Sequence, residues 1–161
     1  YYSIADMKGW ETLVTLLVII VLGLSSCSKD EAVIDVNQLE GVWGLVSESG
    51  YYYDEGEKIS YNENYNPFEP TSDCEKIIIQ KIGDNRYKMT AYEYYSGNWH
   101  QTDIENFSLD GNDIIPEDMH GVDVSVVRIV EVSSDQFVIE CLGQDEDGDF
   151  YNKYIYQRMT E

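Results

Sequence analysis

The sequence predicts an all-β domain, an eight-stranded antiparallel up-and-down β-barrel, behind an apolar leader and a short polar tether. Three observations predict this architecture. Short runs rich in β-branched and aromatic residues follow one another at close spacing. Turn-forming pairs such as Asp-Gly and Ser-Gly separate these runs, and no helical period of useful length follows residue 27. The 161 residues include 14 tyrosines, which argues against disorder despite a net charge of −21.

The leader is a predicted signal peptide covering residues 1–26, with Met7 as a plausible start. Its apolar run, residues 13–24, is about 18 Å long as a helix, which is too short for the ~30 Å core of a bilayer. A run of this length is typical of a secretory leader. Ser25 and Ser26 add the small residues that a signal peptidase accommodates.

Cys27 is the predicted lipidation site. Residues 24–27, with the sequence Leu-Ser-Ser-Cys, resemble a lipobox, the cleavage and lipidation site of bacterial lipoproteins. The resemblance implies cleavage before Cys27 and acyl chains on its thiol and on the new amino terminus. Each buried methylene then stabilises membrane attachment by about 0.8 kcal/mol. The alternative is an ordinary signal peptide, or a buried helix, with an unmodified Cys27.

Lys29, Asp30 and Glu31 follow the lipidation site directly. This stretch resembles the surface-export signal that one group of Gram-negative bacteria uses, which implies an outer-membrane location facing the cell exterior. The alternative is a polar tether without an address. In either case residues 27–38 form the lipidated cysteine and tether, and residues 39–161 form the barrel domain.

The net charge of the mature chain restricts its partners. The leader holds one basic and two acidic residues, so the remaining chain has nine basic and 29 acidic residues and a net charge near −20. Such a field repels phosphate backbones and excludes nucleic acid as a partner. It favours cations and basic proteins, although a solvated extracellular surface is the simpler explanation.

The eight predicted strands are short and are joined mostly by tight turns. Sequential strands of this kind favour an up-and-down barrel, which leaves no exposed sheet edge. The interior of such a barrel is either filled by side chains or large enough for one small ligand. The predicted strands are 41–53, 74–82, 86–95, 98–109, 112–115, 122–132, 136–143 and 150–159.

Two short motifs at the ends of the domain resemble a known family. Gly41 and Trp43 match the Gly-x-Trp opening of lipocalins, and Arg158 matches the arginine that closes that fold. Over residues 39–159 the chain resembles a bacterial lipocalin-like lipoprotein of the calycin group. The resemblance implies that Trp43 closes the barrel floor and that Arg158 lies across its ring, a cation–π contact of roughly 0.5–2 kcal/mol. These three residues are therefore predicted to be structural.

The resemblance also implies where a ligand would bind. In lipocalins the segment corresponding to residues 49–72 is a loop that folds over the barrel mouth. Tyrosine combines an apolar ring with a hydroxyl group, which suits an amphipathic ligand. The alternative is that these aromatic residues fill and coat the strands. The candidate ligand-binding residues, from this segment and from the hairpin after residue 86, are Tyr51, Tyr53, Tyr61, Tyr65, Tyr92, Tyr94 and Trp99.

Cys74 and Cys141 form an even pair that could make a disulfide outside the cytoplasm, or remain two small buried residues. Three alternating aspartates near the last hairpin lack the glycine and glutamate positions of an EF-hand loop, so no metal site is predicted. Motifs of known catalytic sites are missing from the sequence, and we expect neither a cofactor nor an enzymatic activity.

Two functions follow from this prediction. The first is a membrane-anchored, non-enzymatic lipoprotein that binds a small apolar or amphipathic ligand inside its barrel. The second is an interaction module with a solid barrel, whose acidic face binds a basic protein partner. The volume inside the barrel distinguishes them, because a ligand site needs roughly 300 Å³ or more.

Overall fold

The computed structural model describes residues 34–117 and 124–160, without the side chains at positions 124 and 125. The predicted leader, Cys27 and the signal at Lys29, Asp30 and Glu31 lie outside the described residues. No helix within the described ranges has the length and apolarity to span a membrane.

The described ranges form a short 3₁₀ turn, Val36–Gln38, and nine strands: β1 (Gly41–Asp54), β2 (Glu57–Asn64), β3 (Glu75–Gly83), β4 (Arg86–Tyr95), β5 (Asn98–Asp110), β6 (Asp113–Pro116), β7 (Val124–Val132), β8 (Gln136–Gln144) and β9 (Asp149–Met159).

The strands form one antiparallel sheet that closes on itself. Strand β1 pairs with β3, the strands β3 to β9 then pair in chain order, and β9 pairs back with β1. The closing ladder runs from the pair Val42 and Met159 to the pair Tyr51 and Tyr151. Eight strands therefore form the ring, which confirms the predicted up-and-down barrel. Closure satisfies the hydrogen-bonding groups that an open sheet would leave at its edges.

Strand β2 corrects the predicted loop over the barrel mouth. Residues 49–72 do not form a long loop, because β1 continues to Asp54 and returns as β2 along Ser47–Asp54. Glu55 and Gly56 make the turn with φ values of +50° and +82°. Two successive residues with positive φ produce the tight turn whose twist matches that of paired strands. Strand β2, which is additional to the eight strands of the ring, thus pairs with β1 beyond the short stretch of β1 that pairs with β3.

A register shift in β1 divides the barrel interior into two halves. The shift relative to β9 lies between Leu45 and Ser47. On the amino-terminal side of the shift, Trp43 and Leu45 face the core. On its carboxy-terminal side Glu48 faces inward, because it pairs with Tyr154, which packs against the core. One extra residue in a strand moves every later side chain to the other face. Strand β1 therefore supplies apolar side chains to one half of the interior and polar ones to the other.

The hydrophobic core fills the half of the barrel next to the 3₁₀ turn. Trp43 is fully buried, its ring centroid lies 5.6 Å from that of Phe137, and its indole nitrogen donates to the Leu39 carbonyl oxygen. Tyr87 and Phe107 stack at 5.3 Å between ring centroids. Such aromatic pairs stabilise a core beyond their buried area. The buried cluster comprises Leu39, Trp43, Leu45, Ile77, Ile79, Tyr87, Phe107, Leu109, Ile129, Val132, Phe137 and Tyr156.

The two family motifs meet at this closed end. The guanidinium carbon of Arg158 lies 4.0 Å from the centroid of the Trp43 ring, directly across the β1–β9 ladder. The same guanidinium donates hydrogen bonds to the carbonyl oxygens of Gln38 and Glu40. Gly41 has a φ of +147°, and a Cβ at that position would collide with the guanidinium. Arg158 therefore ties the chain before β1 to the last strand.

Candidate ligand-binding site

Among the described residues, two cavities that open to solvent lie in the half of the barrel away from Trp43. One has a volume of about 570 Å³ and lies between the β1–β2 hairpin and β9. The other has a volume of about 300 Å³ and lies between β1, the chain before β3, and β4. Glu48 lines both cavities. The first is lined by Glu48, Tyr52, Ile59, Tyr61, Glu63, Asp145, Phe150 and Asn152, and the second by Leu45, Glu48, Tyr65, Ser72, Asp73, Cys74, Glu75 and Glu93.

Strand register explains why residues from distant parts of the chain line the larger cavity. Glu63 and Tyr61 on β2 lie opposite Glu48 and Gly50 on β1, and Asn152 on β9 lies opposite Gly50 from the other side. Residues paired directly across a ladder share one face of the sheet. All of these side chains therefore project from the face that also carries the core.

Tyr61 lines the larger cavity and links β2 to β9 through its hydroxyl group. Its hydroxyl donates to Asn152 Oδ1 at 2.7 Å and lies 3.1 Å from Glu48 Oε1. Tyr61 pairs with Gly50, where an added Cβ would lie 2.8 Å from Asn152 Oδ1 and would collide with the Tyr151 carbonyl oxygen. Burial and the neighbouring Glu48 carboxylate raise the pKa of Tyr61, so the hydroxyl keeps its proton and remains a donor.

The smaller cavity places carboxyl groups beside the apolar core. The Tyr156 hydroxyl donates to Glu75 Oε1 at 3.3 Å. Burial raises the pKa of Glu75 above its ordinary value, and the Glu48 and Glu93 carboxylates raise it further. At the rim, the Tyr65 hydroxyl donates to Glu63 Oε2 at 2.6 Å.

The electrostatic character of both cavities is acidic. No lysine, arginine or histidine is present among the described residues that line them. The register places Lys58, Lys76 and Lys153 on the opposite face of their strands, because they pair with Tyr53, Tyr92 and Ser49, which alternate with the lining residues. The lining carboxyl groups are Glu48, Glu63, Asp73, Glu75, Glu93 and Asp145.

Two of the seven predicted ligand-binding residues, Tyr61 and Tyr65, line a cavity. Tyr51 and Tyr53 lie on the outer face instead. There Tyr51 stacks on Tyr151 with ring centroids 6.1 Å apart, beneath the Lys58 ammonium at 3.6 Å. Tyr51 and Tyr53 lie there because residues 49–54 continue β1 instead of forming a loop over the barrel mouth, and the register shift between Leu45 and Ser47 sets which of them face outward.

The remaining three predicted residues also lie outside the barrel. Tyr94 and Trp99 pack edge to face at 5.2 Å between ring centroids. The Lys76 ammonium lies 5.2 Å from the ring centroid of Tyr92 and 4.8 Å from that of Trp99. Glu93, between Tyr92 and Tyr94 on β4, faces inward and pairs with Glu75. The assignment of Tyr92, Tyr94 and Trp99 to a ligand site inside the barrel is therefore corrected.

Sequence reasoning missed most of the lining residues because it followed tyrosines rather than alternation. One signal was available: Ile59, Tyr61 and Glu63 recur with a period of two, which is the pattern of a strand with one lined face. Glu48 and Tyr52 carried no such signal, because their orientation depends on a shift in pairing with another strand.

Of the two alternatives for Cys74 and Cys141, the disulfide is not formed, since both residues are free thiols. Cys74 precedes β3 and its thiol donates to the Asn66 carbonyl oxygen at 3.5 Å. Cys141 lies on β8, and β9 and β1 separate β8 from β3 around the ring. Burial raises the pKa of the Cys141 thiol to about 11. In the part of the chain that the structure describes, no three metal-binding side chains converge on one point.

Comparison with known proteins defines the class. A closed eight-stranded barrel with a cavity beside a tryptophan-sealed floor is the architecture of a lipocalin-like binding protein. A family model for the lipocalin-like domain matches residues 39–139, and the chain belongs to that family. No curated protein matches the sequence.

Two siderocalins are among the solved structures similar to this chain. One, described as functioning through dual ligand specificities, shares 10% identity over 76% of this chain and 71% of its own, with a TM-score of 0.47. The other, described as showing a dual ligand binding mode, shares 12% identity over 79% of this chain and 74% of its own, also with a TM-score of 0.47.

Proposed function

We propose that this protein is a non-enzymatic binding protein that holds a small amphipathic molecule in its barrel. The observation that carries the proposal is the cavity of about 570 Å³ on the inner face of β1, β2 and β9. This volume falls within the range of about 300–1,000 Å³ that is typical of small-molecule sites. The cavity favours a carrier over the alternative of a solid barrel that binds a basic protein through its acidic face.

The lining of the cavity supports an amphipathic ligand. Tyr52, Ile59 and Phe150 supply apolar surface, and Gly143 leaves room for the Phe150 ring, which would collide with a Cβ there. Carboxyl groups and the Tyr61–Asn152 hydrogen bond supply polar contacts beside that surface. Affinity would come from burial of the apolar part, with polar groups fixing its orientation.

A cavity-filling substitution tests this proposal. Ile59→Trp inserts a large ring into the larger cavity, whereas Ser60→Trp places the same ring on the opposite face of β2. We expect 2-phenylethylamine, 2-phenylethanol or 3-phenylpropanoate to bind the wild type in isothermal titration calorimetry. Binding should persist in Ser60→Trp and be lost in Ile59→Trp. Equal binding to both variants would place the ligand elsewhere and overturn the proposal.

We also propose that the protein is anchored to the outer membrane through a lipid on Cys27 and faces the cell exterior. The support is the sequence: a short apolar leader, a lipobox-like segment and the charged residues Lys29, Asp30 and Glu31. Intact mass spectrometry should find a mature chain that begins at an acylated Cys27, and Cys27→Ser should abolish acylation. A mature chain that still carries residues 1–26 would contradict the anchor.

The outward orientation has a separate test. Protease applied to intact cells should cleave the wild type. A variant with Lys29→Ala, Asp30→Asn and Glu31→Gln should remain acylated yet become protected. Protection of the wild type itself would show that the protein faces inward.

A further inference from the structure

We infer that the ligand of this barrel is an organic cation, a protonated amine joined to an apolar or aromatic body. This inference rests on the proposed carrier function and specifies the chemical class of its ligand. Three features of the two cavities support it: uncompensated carboxyl groups, lining hydroxyl groups that have already donated their protons, and a patch of apolar surface beside them.

The first feature is the distribution of charge. Glu48 lies where the two cavities share a lining, Glu63 lies directly opposite it on β2, and Glu75 and Glu93 pair across β3 and β4. Lys58 on β2 and Lys76 on β3 project from the other face, as the register requires. A bound anion would therefore meet no positively charged side chain in the lining, whereas a cation would offset the mutual repulsion of the carboxylates.

The second feature is the allocation of hydrogen-bond donors. Tyr61 donates within the cavity to Asn152, Tyr65 donates to Glu63, and Tyr156 donates to Glu75. A hydroxyl group has a single proton, so Tyr61 and Tyr65, which line the cavities, offer a ligand only acceptor capacity. Apart from the Asn152 amide nitrogen and the hydroxyl groups of Ser72 and Tyr52, the polar side chains of the lining consist of carboxyl groups and of hydroxyl and thiol groups already used as donors. A ligand that brings donors suits the many acceptors of this lining, and a protonated amine brings up to three donors together with a positive charge.

The third feature is the apolar surface beside the carboxyl groups. Tyr52 pairs with Ile59 across the β1–β2 ladder, and Phe150 lines the same cavity from β9. Tyr52 remains 42% exposed, so its ring is available to a ligand. Aromatic faces attract organic cations as well as apolar groups. A molecule with an ammonium group near Glu48 and an aromatic or alkyl body against these rings satisfies both halves of the site.

Three compounds with the same phenylethyl body and different charge test the inference on the full-length protein. At pH 7, 2-phenylethylamine is cationic, 2-phenylethanol is neutral and 3-phenylpropanoate is anionic. In isothermal titration calorimetry we expect the amine to bind at least about tenfold more tightly than the alcohol, and the carboxylate to bind most weakly. Affinity for the amine should fall as sodium chloride rises from about 20 to about 500 mM, while affinity for the alcohol stays constant.

Matched variants locate the charge that selects the ligand. Glu48→Gln keeps the acceptor for Tyr61 and removes one negative charge, so affinity for the amine should fall by about fivefold to tenfold with no change for the alcohol. Glu131→Gln removes the same charge from an exposed position on β7 and should leave both affinities unchanged. Equal losses in the two variants would mean that net charge alone attracts the amine, and would overturn the inference.

The two proposals fail in different ways. If the alcohol and the carboxylate bind as tightly as the amine and Ile59→Trp blocks all three, the carrier function stands and the cationic ligand is rejected. If none of the three compounds binds, the carrier function itself is rejected.

Discussion

The buried Tyr156 hydroxyl donates a hydrogen bond to Glu75 at the level where the apolar core of the barrel meets its acidic half. The two residues are 81 positions apart in the chain, and closure of β9 onto β1 brings them together. Glu48 and Glu93 face Glu75 from the neighbouring strands, and Tyr154 lies beside Tyr156 on β9. This contact positions a carboxyl group against a hydrophobic floor, where ionisation is unfavourable.

The position of Glu75 predicts a pH-dependent stability. Burial raises its pKa in the folded protein, so the folded state binds the proton more tightly than the unfolded chain does. The stability that protonated Glu75 contributes is fully present below its pKa in the unfolded chain. It is lost as the pH rises through its higher pKa in the folded protein. We expect Glu75→Gln, which keeps an acceptor for Tyr156, to be more stable than the wild type above this window. Below it, the two proteins should be equally stable.

Urea unfolding between pH 4 and pH 8 measures this difference. Glu131→Gln serves as the control, because it removes a carboxyl group that is exposed on β7. A Glu75→Gln variant whose stability follows the wild type at every pH would show that this carboxyl group ionises as freely as a solvated one.

Arg158 should stabilise the barrel by joining its two ends. Its guanidinium lies over Trp43 and donates to the carbonyl oxygens of Gln38 and Glu40. Removing the cation–π contact and these hydrogen bonds by Arg158→Gln should lower the free energy of unfolding by about 1–3 kcal/mol. The free energy of unfolding of Arg158→Lys should lie between those of the wild type and Arg158→Gln, because an ammonium group cannot reproduce the planar guanidinium fork.

Arg86 provides the comparison for that measurement. It pairs with Glu117 at the surface in a salt bridge. Exposed pairs contribute little to stability, so Arg86→Gln should leave the urea midpoint nearly unchanged. Equal losses from Arg86→Gln and Arg158→Gln would contradict the closing role of Arg158.

Gly50 should be required for the close approach of β1 to β9. A Cβ there would collide with the Tyr151 carbonyl oxygen and press on Asn152 Oδ1 at 2.8 Å, the atom that accepts the hydrogen bond of the Tyr61 hydroxyl. We expect Gly50→Ala to cost about 1–3 kcal/mol in urea unfolding, because the neighbouring atoms belong to backbone that must shift. Gly83→Ala, whose Cβ would lie at an ordinary 3.5 Å from the Arg86 side chain, should cost less.

The two barrel cysteines should be reduced and slow to react. Burial covers Cys74 and raises the pKa of Cys141 to about 11, so little thiolate is present at pH 8. Alkylation without reductant should label neither residue in the native protein and both after denaturation, as read by peptide mass spectrometry. A disulfide-linked peptide joining Cys74 to Cys141 would contradict the structure.

Much of the strand layout was predictable because turn chemistry is local. The predicted run 86–95 coincides with β4 (Arg86–Tyr95), and the run 74–82 differs from β3 (Glu75–Gly83) by one residue at each end. The missed strand, β2, follows a turn at Glu55 and Gly56 that lacks the asparagine or aspartate usual before glycine in such turns. The sequence of β2 therefore predicts a long loop instead of a strand.

The candidate site was much less predictable than the fold. The chemistry of tyrosine predicts Tyr51, Tyr92 and Tyr94 as ligand-binding residues, but all three lie on the outer face. The inward neighbours of these residues, such as Glu93 between the two tyrosines of β4, differ from them only by the parity of their position. Parity becomes informative only when the register with the partner strands is known.

By itself the sequence determined the all-β class, the position of most strands, the family and the residues that seal the closed end. These properties depend on local alternation, on turn residues and on two short motifs, all of which can be read along one segment. Only the tertiary structure decided which side chains line the interior. Pairing of β9 with β1, and the register shift between Leu45 and Ser47, bring carboxyl groups from distant strands into one space. That outcome depends on hydrogen bonding between strands, which a single segment does not specify.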